Sequence, residues 1–484
     1  MGTEFLQLDR AAAGAVGLSE WLTSELRGAI ADGRLPVGST LPASRVLAEE
    51  LSVSRGVVTE AYRRLAEEGH VYGRGRAGTR VVAGVLETAR ASPGDRHSRP
   101  NHDPLAVIGP ALFDALRAAP CRIDLTPGVP DLAAFPRSAW LRAERSVLSA
   151  LAPASLGYND PRGVAAFRVA VANWLARNRG IRATPDDVVI TAGVAQGLAL
   201  LARSLRHSGV EAVAVEDPGS LGARQQLHSW GLETPPVPVD ELGLRVSDLR
   251  ATGVAAVMIT PAHQFPMGVV LDGTRRRELR QWAAAGGLVI EDDYDAEHRY
   301  DRPPVRALRA ALPDRVCYAG SVSKLLAPAL RVGWLLVPPA LRDSVVAAKR
   351  DADLGNAVLP QLVLAEMMAS GDLERHHRQL RKRHVRRRDA TIEAVRAHLP
   401  RARVHGAAAG LHLTLTFGEQ RGRMADADLA AAALERGVKV QPLSWHCQQP
   451  APPGLVLGYA ASSAAQIADG VEVIGRIVGG RGRR

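Results

Sequence analysis

The chain contains 484 residues, of which 46% are hydrophobic and 23% are charged. A chain of this length is expected to form two or three domains, and its composition excludes wholesale disorder. The formal net charge of +11 permits a polyanionic partner but does not establish one. Any chemistry that needs a side-chain amine must use one of only four lysines, which are Lys324, Lys349, Lys382 and Lys439.

Three cysteines, Cys121, Cys317 and Cys447, lie far apart and form no C-x-x-C pair. This spacing predicts neither a disulfide framework nor a thiolate zinc site, and it fits a reducing compartment. The N-terminus shows no basic stretch followed by an apolar one. The longest uncharged run, Ala251–Leu271, contains prolines and polar residues that a lipid-facing helix would not tolerate. We therefore predict a cytoplasmic protein without a signal peptide or a transmembrane segment.

Residues 17–82 show the pattern of three short helices followed by a glycine-rich ribbon. Apolar residues recur with helical spacing over 18–30, a second helix opens near Ser44, and a third follows Ser54. In His70–Val82, β-forming residues flank three glycines, which indicates a hairpin. This arrangement predicts a winged helix-turn-helix, which places the start of one helix in the major groove of DNA. A small helical docking domain with a basic edge is the alternative.

Short polar and cationic side chains occupy the positions that such a fold would present to base edges and phosphates. They lie at the start of the second helix, at the start of the third helix and on the ribbon, and the candidate DNA-binding residues are Arg45, Ser54, Arg55, Thr59, Arg74 and Arg76. The ribbon also spells G-x-G-x-x-G. Because a helix precedes this motif and a strand follows it, the dinucleotide-binding arrangement is not expected.

The remainder of the chain indicates a linker and a larger α/β domain. Residues 91–104 are rich in Pro, Ser and Arg without an apolar period, and residues 105–119 have room for a short helix. From residue 121 onward, short runs of Val, Ile, Leu and Ala alternate with helical stretches, which is typical of a mostly parallel sheet buried on both faces. We predict a DNA-binding domain over 1–82, a linker over 83–120 and an α/β domain over 121–484.

The segment Gly320-Ser-Val-Ser-Lys324 follows a predicted strand, and Arg331 comes seven residues after the lysine. A lysine amine forms an imine with an aldehyde. The hydroxyls of Ser321 and Ser323 and the guanidinium of Arg331 suit a phosphate monoester, and a nearby cation would lower the pKa of the lysine. The alternatives are a structural lysine in a serine-rich turn and an acyl-serine S-x-x-K motif, which lacks its accompanying segments here.

A second candidate site lies where the apolar strand near Ile290 ends in a group of acidic residues. Asp292 and Tyr294 are two residues apart, so an extended chain turns both to the same side, while Asp293 points away unless a bulge exchanges the two carboxylates. A carboxylate keeps a pyridine nitrogen protonated, and a neighbouring phenol can bind the 3-oxygen of the ring. A magnesium-type acidic cluster or a solvated strand end is the alternative.

A third candidate site is the turn that joins the apolar run Val188–Thr191 to the following helix. Gly193 precedes Val194, Ala195 and Gln196, and the backbone N–H groups at a helix start can bind a phosphate. The three sites together require a ligand with an aldehyde, a pyridine ring and a phosphate. Pyridoxal phosphate has all three.

Several longer segments of the sequence resemble known protein families. "GRLPVGSTLPASRVLAEELSVSRGVVTEAYRRLAEEG" resembles the GntR-type winged helix-turn-helix, and "ITAGVAQGLALL", "TPAHQFPMGVVL", "IEDDYDAEHRY" and "GSVSKLLAPALRVGW" are similar to segments of fold type I aminotransferases in the same order. Joined by a linker, the two parts resemble the MocR subfamily of transcriptional regulators.

This resemblance implies roles for individual residues. Lys324 would carry the internal aldimine of pyridoxal phosphate, Asp292 would meet the ring nitrogen and Tyr294 the 3-oxygen. Tyr158 would reach a phosphate across the interface of a head-to-tail homodimer. The remaining cofactor-binding positions, which would hold the phosphate, are Val194, Ala195, Gln196, Ser321, Ser323 and Arg331.

Three positions depart from the aminotransferase pattern. Ser220 stands where an aromatic residue usually stacks on the ring, Phe265 precedes Pro266 in place of Asn, and Val456 stands where an arginine grips the substrate carboxylate. We therefore predict a pyridoxal-phosphate-dependent transcriptional regulator that senses the cofactor itself or an amine or amino acid. The alternatives are a working aminotransferase with an accessory DNA-binding head and a regulator that has lost the cofactor.

The basic stretch 374–403 contains His376, His377 and His384 without a metal-binding spacing. We predict that this stretch is a solvated helix face, with a second DNA-facing surface as the alternative, and we predict no metal site.

Overall fold

A computed structural model describes residues 17–32, 34–67, 70–73, 78–81, 112–295, 297–300, 305–418 and 424–480. The chain divides into two compact units, one up to residue 100 and one from residue 101. Among the described residues, none of the helices has both the length and the apolar character needed to cross a bilayer.

The first unit is a small helical domain with a two-stranded ribbon. Its elements are α1 (Leu18–Ala31), α2 (Ser44–Glu50), α3 (Arg55–Glu67), β1 (Val71–Gly73) and β2 (Thr79–Val81). The strands pair antiparallel, and Arg80 on β2 also bridges to Thr40. Apolar side chains that recur at helical spacing on the three helices, among them Leu22, Leu26 and Val58, form a buried core. The predicted winged helix-turn-helix is confirmed.

In the described part of the second unit, twelve further helices lie between the strands and at the C-terminus, besides short 3-10 turns. Its helices are α4 (Leu112–Ala118), α5 (Arg137–Ala150), α6 (Ala165–Arg179), α7 (Val194–His207), α8 (Leu221–Ser229), α9 (Val246–Thr252), α10 (Gly273–Ala284), α11 (Pro339–Asp353), α12 (Val358–Ala369), α13 (Asp372–His398), α14 (Asp426–Glu435) and α15 (Ala464–Gly480). Helix α4 falls within the stretch predicted as a linker. Its residues Leu112 and Leu116 are buried in a core shared with α15, so this part of the stretch belongs to the second unit.

The strands of the second unit form one large sheet and two smaller ones. They are β3 (Ile123–Asp124), β4 (Val188–Thr191), β5 (Ala214–Asp217), β6 (Pro236–Asp240), β7 (Gly243–Leu244), β8 (Ala256–Ile259), β9 (Leu288–Asp293), β10 (Val316–Ser321), β11 (Gly333–Leu336), β12 (Ala402–His405), β13 (His412–Phe417), β14 (Val438–Lys439), β15 (Gln441–Pro442) and β16 (Gly454–Gly458).

The large sheet has the strand order β4-β11-β10-β9-β8-β5-β6-β7. Its central neighbours β10–β9, β9–β8, β8–β5 and β5–β6 pair parallel, whereas β11 and β7 pair antiparallel with their neighbours. Three apolar clusters cover its two faces, which explains the uninterrupted Val, Ile, Leu and Ala of its strands. The predicted α/β class with a mostly parallel sheet is confirmed.

Helix α13 differs from the solvated basic face that its composition predicts. His376 and His384 are buried, and His376 Nε2 lies 3.1 Å from the carbonyl oxygen of Leu325. With Leu373 and Leu380, they form one stripe at spacings of three and four residues, so the helix turns this stripe to the core and its arginines outward. The prediction was wrong for these histidines because a long basic helix still needs one face for packing.

Candidate functional site

The three predicted site segments follow the carboxyl ends of β4, β9 and β10, which point in the same direction in the large sheet. β9 and β10 run parallel with Asp292 opposite Ala319 and Asp293 opposite Gly320, so the turn that carries Lys324 begins beside the end of β9. β4 lies on the far side of β11, and the turn after it leads to Gly193. Parallel strands place such ends at one edge of the sheet, where open α/β sheets bind their ligands.

Asp292 presents an unsatisfied carboxyl group to a cavity. Among the described residues, its Oδ1 is buried and has no hydrogen-bond partner. Burial and the neighbouring Asp293 carboxylate together raise the pKa of Asp292 to about 7, while Lys324 opposes the shift. A buried polar atom without a partner is costly, so this group is suited to a ligand that brings a donor.

The neighbouring acid has a different environment. The Asp293 carboxylate binds the guanidinium of Arg179 and the hydroxyl of Tyr318, both fully buried. Asp292 and Tyr294 line the same cavity, whereas Asp293 faces the other side of the strand. This is the alternation that an extended strand without a bulge produces.

Lys324 lines the same cavity. Its Nζ donates a hydrogen bond to the carbonyl oxygen of Gly128. Burial lowers the pKa of Lys324, while the carboxylates of Asp295 and Asp292 oppose that shift. A lowered pKa favours the neutral nucleophilic amine, and its cause is burial rather than the neighbouring cation that the sequence indicated.

Arg331 and the turn between β4 and α7 contact each other, outside the cavity wall that Lys324 and Asp292 line. The Arg331 guanidinium donates to the carbonyl oxygen of Ala192, and a Cβ built on Gly193 would lie 3.2 Å from its Nη1. Arg331 adopts a left-handed backbone conformation with φ of 51°, which is uncommon outside glycine and occurs at functional sites. The amides of Val194 and Ala195 open α7 and, like all first-turn amides, have no intrahelical acceptor.

The side chain of Gln196 is committed elsewhere. Its Oε1 accepts from the amide of Ala192 at 2.7 Å, and its Nε2 donates to Asp353 Oδ2 at 2.7 Å. The side-chain amide of Gln196 therefore stabilises the turn and is not presented to a ligand. Ser321 and Ser323 lie close to each other on the Lys324 turn, since the amide of Ser323 donates to Ser321 Oγ at 3.3 Å.

The cavity has a volume of about 510 Å³ and is large enough for a small cofactor with a ligand. Its wall brings together residues distant in sequence, including Phe113 and Arg117 on α4, Ser220, Phe265, His412, Lys439 and His446. Ser220 also caps α8, because its Oγ accepts from the amide of Ala223 at 3.3 Å. Lys439 lies 3.8 Å from Asp124. The cavity thus holds two of the four lysines.

Sequence reasoning missed a buried network behind Tyr294. His263 Nδ1 lies 3.0 Å from Tyr294 Oη and 2.9 Å from Asp295 Oδ2. The His412 ring lies beside that of His263, with centroids 5.1 Å apart and ring planes tilted by 50°. The ligand atoms of His263, Asp295 and His412 all lie within 4.8 Å of one another. No spacing in the sequence brings these residues together, because they lie on three separate segments.

Two further predicted positions lie outside the cavity wall. Val456 is buried on β16 opposite Thr414 of β13, and it offers no charge to a substrate. Tyr158 is 95% exposed and makes no contribution to the cavity of its own chain.

In the first unit, the candidate DNA-binding residues cluster at the start of two helices. Arg45, Ser54, Arg55 and Thr59 are all exposed. Arg55 Nε lies 3.4 Å from the hydroxyl of Ser44, and Thr59 lies one turn further along α3 and donates to the carbonyl oxygen of Arg55. This placement leaves the N-terminal end of α3 open to a partner. Arg74 and Arg76 lie outside the described residues.

Known families and structures match both parts of the chain. Residues 18–81 match the gntR family of bacterial regulatory proteins, and residues 122–474 match the aminotransferase class I and II family. The kynurenine aminotransferase of Pyrococcus horikoshii, solved in complex with PMP, is 25% identical with a TM-score of 0.69, covering 77% of this chain and 94% of that one. The two parts define a helix-turn-helix regulator with an aminotransferase-like domain.

Two transcriptional regulators match most of this chain over most of their own length. The probable rhizopine catabolism regulatory protein MocR of Rhizobium meliloti is 31% identical over 96% of this chain and 94% of its own. The pyridoxine biosynthesis regulator PdxR of Corynebacterium glutamicum is 34% identical over 87% of each chain. The chain belongs to the MocR-type GntR regulators and is an HTH-type transcriptional regulator whose first domain binds DNA.

Proposed function

We propose that the second unit binds pyridoxal 5'-phosphate between Lys324 and Asp292. The observation that carries this proposal is the buried Oδ1 of Asp292, which lacks a partner among the described residues and lines the same cavity as Lys324. A protonated pyridine nitrogen would satisfy that oxygen. The aminotransferase class I and II family is pyridoxal-phosphate-dependent, and the residues present here fit the cofactor.

Each functional group of the cofactor has a candidate partner in this chain. Lys324 supplies the amine for its aldehyde, and Tyr294 supplies a hydroxyl whose pKa burial holds well above its usual value, so that it stays protonated. The bound cofactor supplies an electron sink. The cofactor-phosphate partners that we propose are Ser321, Ser323, Arg331 and the backbone amides of Val194 and Ala195, with Gln196 holding the turn through its side chain.

We also propose which residues of the first unit contact DNA. Arg55 and Thr59 share one face at the start of α3, and Ser54 and Arg45 stand beside it, so these four would provide the base and phosphate contacts of the head. Arg74 and Arg76 remain predicted wing contacts.

We propose a homodimer as the functional assembly, as the sequence resemblance implies. Large apolar side chains lie exposed over one stretch of chain, residues 132–158, including Leu141 at 61%, Leu148 at 50% and Leu156 at 66%. Clusters of this kind on a surface mark interaction sites. Tyr158 belongs to the same stretch, which fits its predicted role at the site of the partner subunit. The predicted head-to-tail arrangement goes with this assembly.

The effector would act by population shift. A ligand that binds one arrangement of the two halves better than another changes the fraction of protein able to bind its operator. The ligand is the cofactor itself or an amine or amino acid that enters the cavity beside it. PdxR is named as a regulator of pyridoxine biosynthesis, which favours the cofactor as one candidate.

A working aminotransferase is the second candidate function, because the fold and the lysine are those of an enzyme. Val456 argues against efficient turnover, since it is buried and lacks the paired donors that hold a carboxylate. Steady conversion of an amino acid with a keto acid at ordinary enzymatic rates would favour the enzyme.

A gel shift on the DNA upstream of this gene and its divergent neighbour tests the regulator. We expect binding that changes on addition of pyridoxal phosphate or of candidate amines. Lys324→Ala should keep DNA binding by the apoprotein but lose the response and the borohydride-reducible cofactor. An identical response in wild type and Lys324→Ala would contradict the proposal.

A further inference from the structure

The cofactor contacts proposed above do not use the histidine and carboxylate behind Tyr294. His263 and Asp295 are each 1% exposed. The Nδ1 atom of His263 is within hydrogen-bond distance of both Asp295 Oδ2, at 2.9 Å, and Tyr294 Oη, at 3.0 Å. One nitrogen therefore contacts a carboxylate and a phenol at the same time.

These contacts determine where the hydrogen atoms lie. A carboxylate only accepts, so Nδ1 of His263 must carry the hydrogen that it shares with Asp295. A nitrogen that carries a hydrogen cannot accept from Tyr294, so the phenolic oxygen is an acceptor in that contact. The hydroxyl hydrogen of Tyr294 then points away from Nδ1 of His263. Two acceptors are open to it: the Asp295 carboxylate, with which Tyr294 shares a side-chain hydrogen bond, and a ligand in the cavity that Tyr294 lines.

The surrounding backbone holds the imidazole in this orientation. A Cβ on Gly410 would lie 2.0 Å from Cε1 of His263, and a Cβ on Gly268 would lie 3.0 Å from Nε2. Both glycines also have a left-handed φ, of 83° and 70°. Within the described part of the chain, Nε2 of His263 is buried without a partner, so the ring gains its fixed polar contacts through Nδ1 alone.

We infer that His263, oriented by Asp295, is a positioning residue that directs the hydroxyl hydrogen of Tyr294 toward the phenolic oxygen of the bound cofactor. This inference rests on the proposed cofactor binding. By binding the Asp295 carboxylate, Nδ1 of His263 weakens the competition of that carboxylate for the Tyr294 hydroxyl. Without this donor, the hydroxyl stays bound to Asp295 and leaves the cofactor oxygen without its hydrogen bond. The arrangement thus sets how strongly the protein stabilises negative charge on that oxygen.

The test is a pH titration of the absorption band of the cofactor-loaded protein. A hydrogen bond to the phenolic oxygen stabilises the form in which this oxygen is negative and the imine nitrogen has lost its proton, so it lowers the titration midpoint. In His263→Gln the amide nitrogen reaches the position of Nε2 and no donor remains at Nδ1. We expect its midpoint to rise by about 1 pH unit. His263→Asn keeps a donor near Nδ1 and should restore most of the wild-type midpoint.

A double mutant distinguishes positioning through Tyr294 from a general effect on the cavity. In a Tyr294→Phe background, His263→Gln should shift the midpoint no further, because the two changes remove one interaction. If His263→Gln does not fold, Asp295→Asn tests the same network and should shift the midpoint in the same direction.

Three results would overturn the inference while leaving cofactor binding intact. The first is an unchanged midpoint in cofactor-loaded His263→Gln or, where that variant does not fold, in Asp295→Asn. The second is a shift by His263→Gln that is equally large in the Tyr294→Phe background, and the third is stoichiometric zinc in the purified protein, which would take the place of the Nδ1 hydrogen. Failure of the wild type to load pyridoxal phosphate would instead contradict the proposed function itself.

Discussion

Arg331 packs directly against the backbone of Gly193, so that a Cβ on the glycine would lie 3.2 Å from Nη1 and 3.4 Å from Nη2 of the guanidinium. The two residues lie on turns that follow different strands of the large sheet, and the guanidinium also binds the carbonyl oxygen of Ala192. The proposed phosphate site therefore depends on the absence of a side chain at residue 193.

Gly193→Ala should weaken cofactor binding by about tenfold or more, because it displaces a cation that forms charge-assisted hydrogen bonds. Gly209→Ala is a matched control, since Gly209 has φ of 81° against 79° for Gly193 but nothing within 4 Å of its Cβ position. Titration of the apoproteins with pyridoxal phosphate measures both. Equal affinities for the two variants would argue against a phosphate site at this turn.

Asp292→Asn should stabilise the apoprotein at pH 8 and weaken its hold on the cofactor. Burial gives Asp292 a folded-state pKa of about 7 against an ordinary value of 3.8. The folded protein therefore retains a proton that the unfolded chain loses, so this group lowers stability progressively from about pH 4 to pH 7 and fully above pH 7.

Denaturant unfolding of both apoproteins from pH 4 to pH 8 measures this effect. We expect a difference in the free energy of unfolding that grows with pH and reaches on the order of 1–4 kcal/mol at pH 8. Glu291 also has a pKa raised to about 7 by burial, but it does not interact with the Asp292 charge and its effect cancels in the difference. Glu216 adds to the difference in the same direction, because the Asp292 carboxylate is one of the causes that raise its pKa. A difference that does not change with pH would contradict the placement of Asp292.

Arg55→Ala should weaken operator binding by about 1–3 kcal/mol and reduce the salt dependence of binding, because an exposed cation at the start of α3 is lost. Arg34→Ala removes a cation whose guanidinium is paired with Asp32 and is the control. Fluorescence anisotropy at several salt concentrations gives both quantities, and the cofactor spectrum should not change. Wild-type affinity in Arg55→Ala would mean that α3 does not present this residue to DNA.

Leu148→Asp should shift the protein from dimer to monomer, since this side chain belongs to the exposed apolar stretch at residues 132–158. Leu242→Asp is matched in exposure, at 49% against 50%, and lies outside that stretch. Sedimentation velocity at several concentrations distinguishes the species. If both variants sediment as the wild type does, the stretch is not the interface.

The sequence predicted those parts of the molecule that depend on local periodicity. Three helices with a ribbon, a mostly parallel sheet, and the shared face of Asp292 and Tyr294 all follow from spacings of two, three or four residues. The burial of His384 could not be predicted, because the hydrophobic pattern of a helix does not show that a histidine is used for packing.

Contacts between segments that are distant in the chain could not be predicted from the sequence either. His263 and Asp295 are 32 residues apart, and nothing in their spacing pairs them. Gln196 is predicted at the phosphate site from its backbone position at a helix start, and its side chain binds Asp353, 157 residues away, which no local pattern indicates. Lys439 shares the cavity with Lys324 because β14 pairs with β3, which no local pattern indicates.

Because two lysines share the cavity, the most direct test of cofactor binding identifies which of them holds the cofactor. Borohydride reduction of the cofactor-loaded protein, followed by digestion and mass spectrometry, locates the lysine that holds pyridoxal phosphate. Burial lowers the pKa of Lys324, which favours its neutral, nucleophilic amine, whereas the Nζ of Lys439 forms an ion pair with the Asp124 carboxylate at 3.8 Å. We predict a pyridoxyl adduct on Lys324. An adduct on Lys439, Lys349 or Lys382 instead, or none at all, would contradict the account.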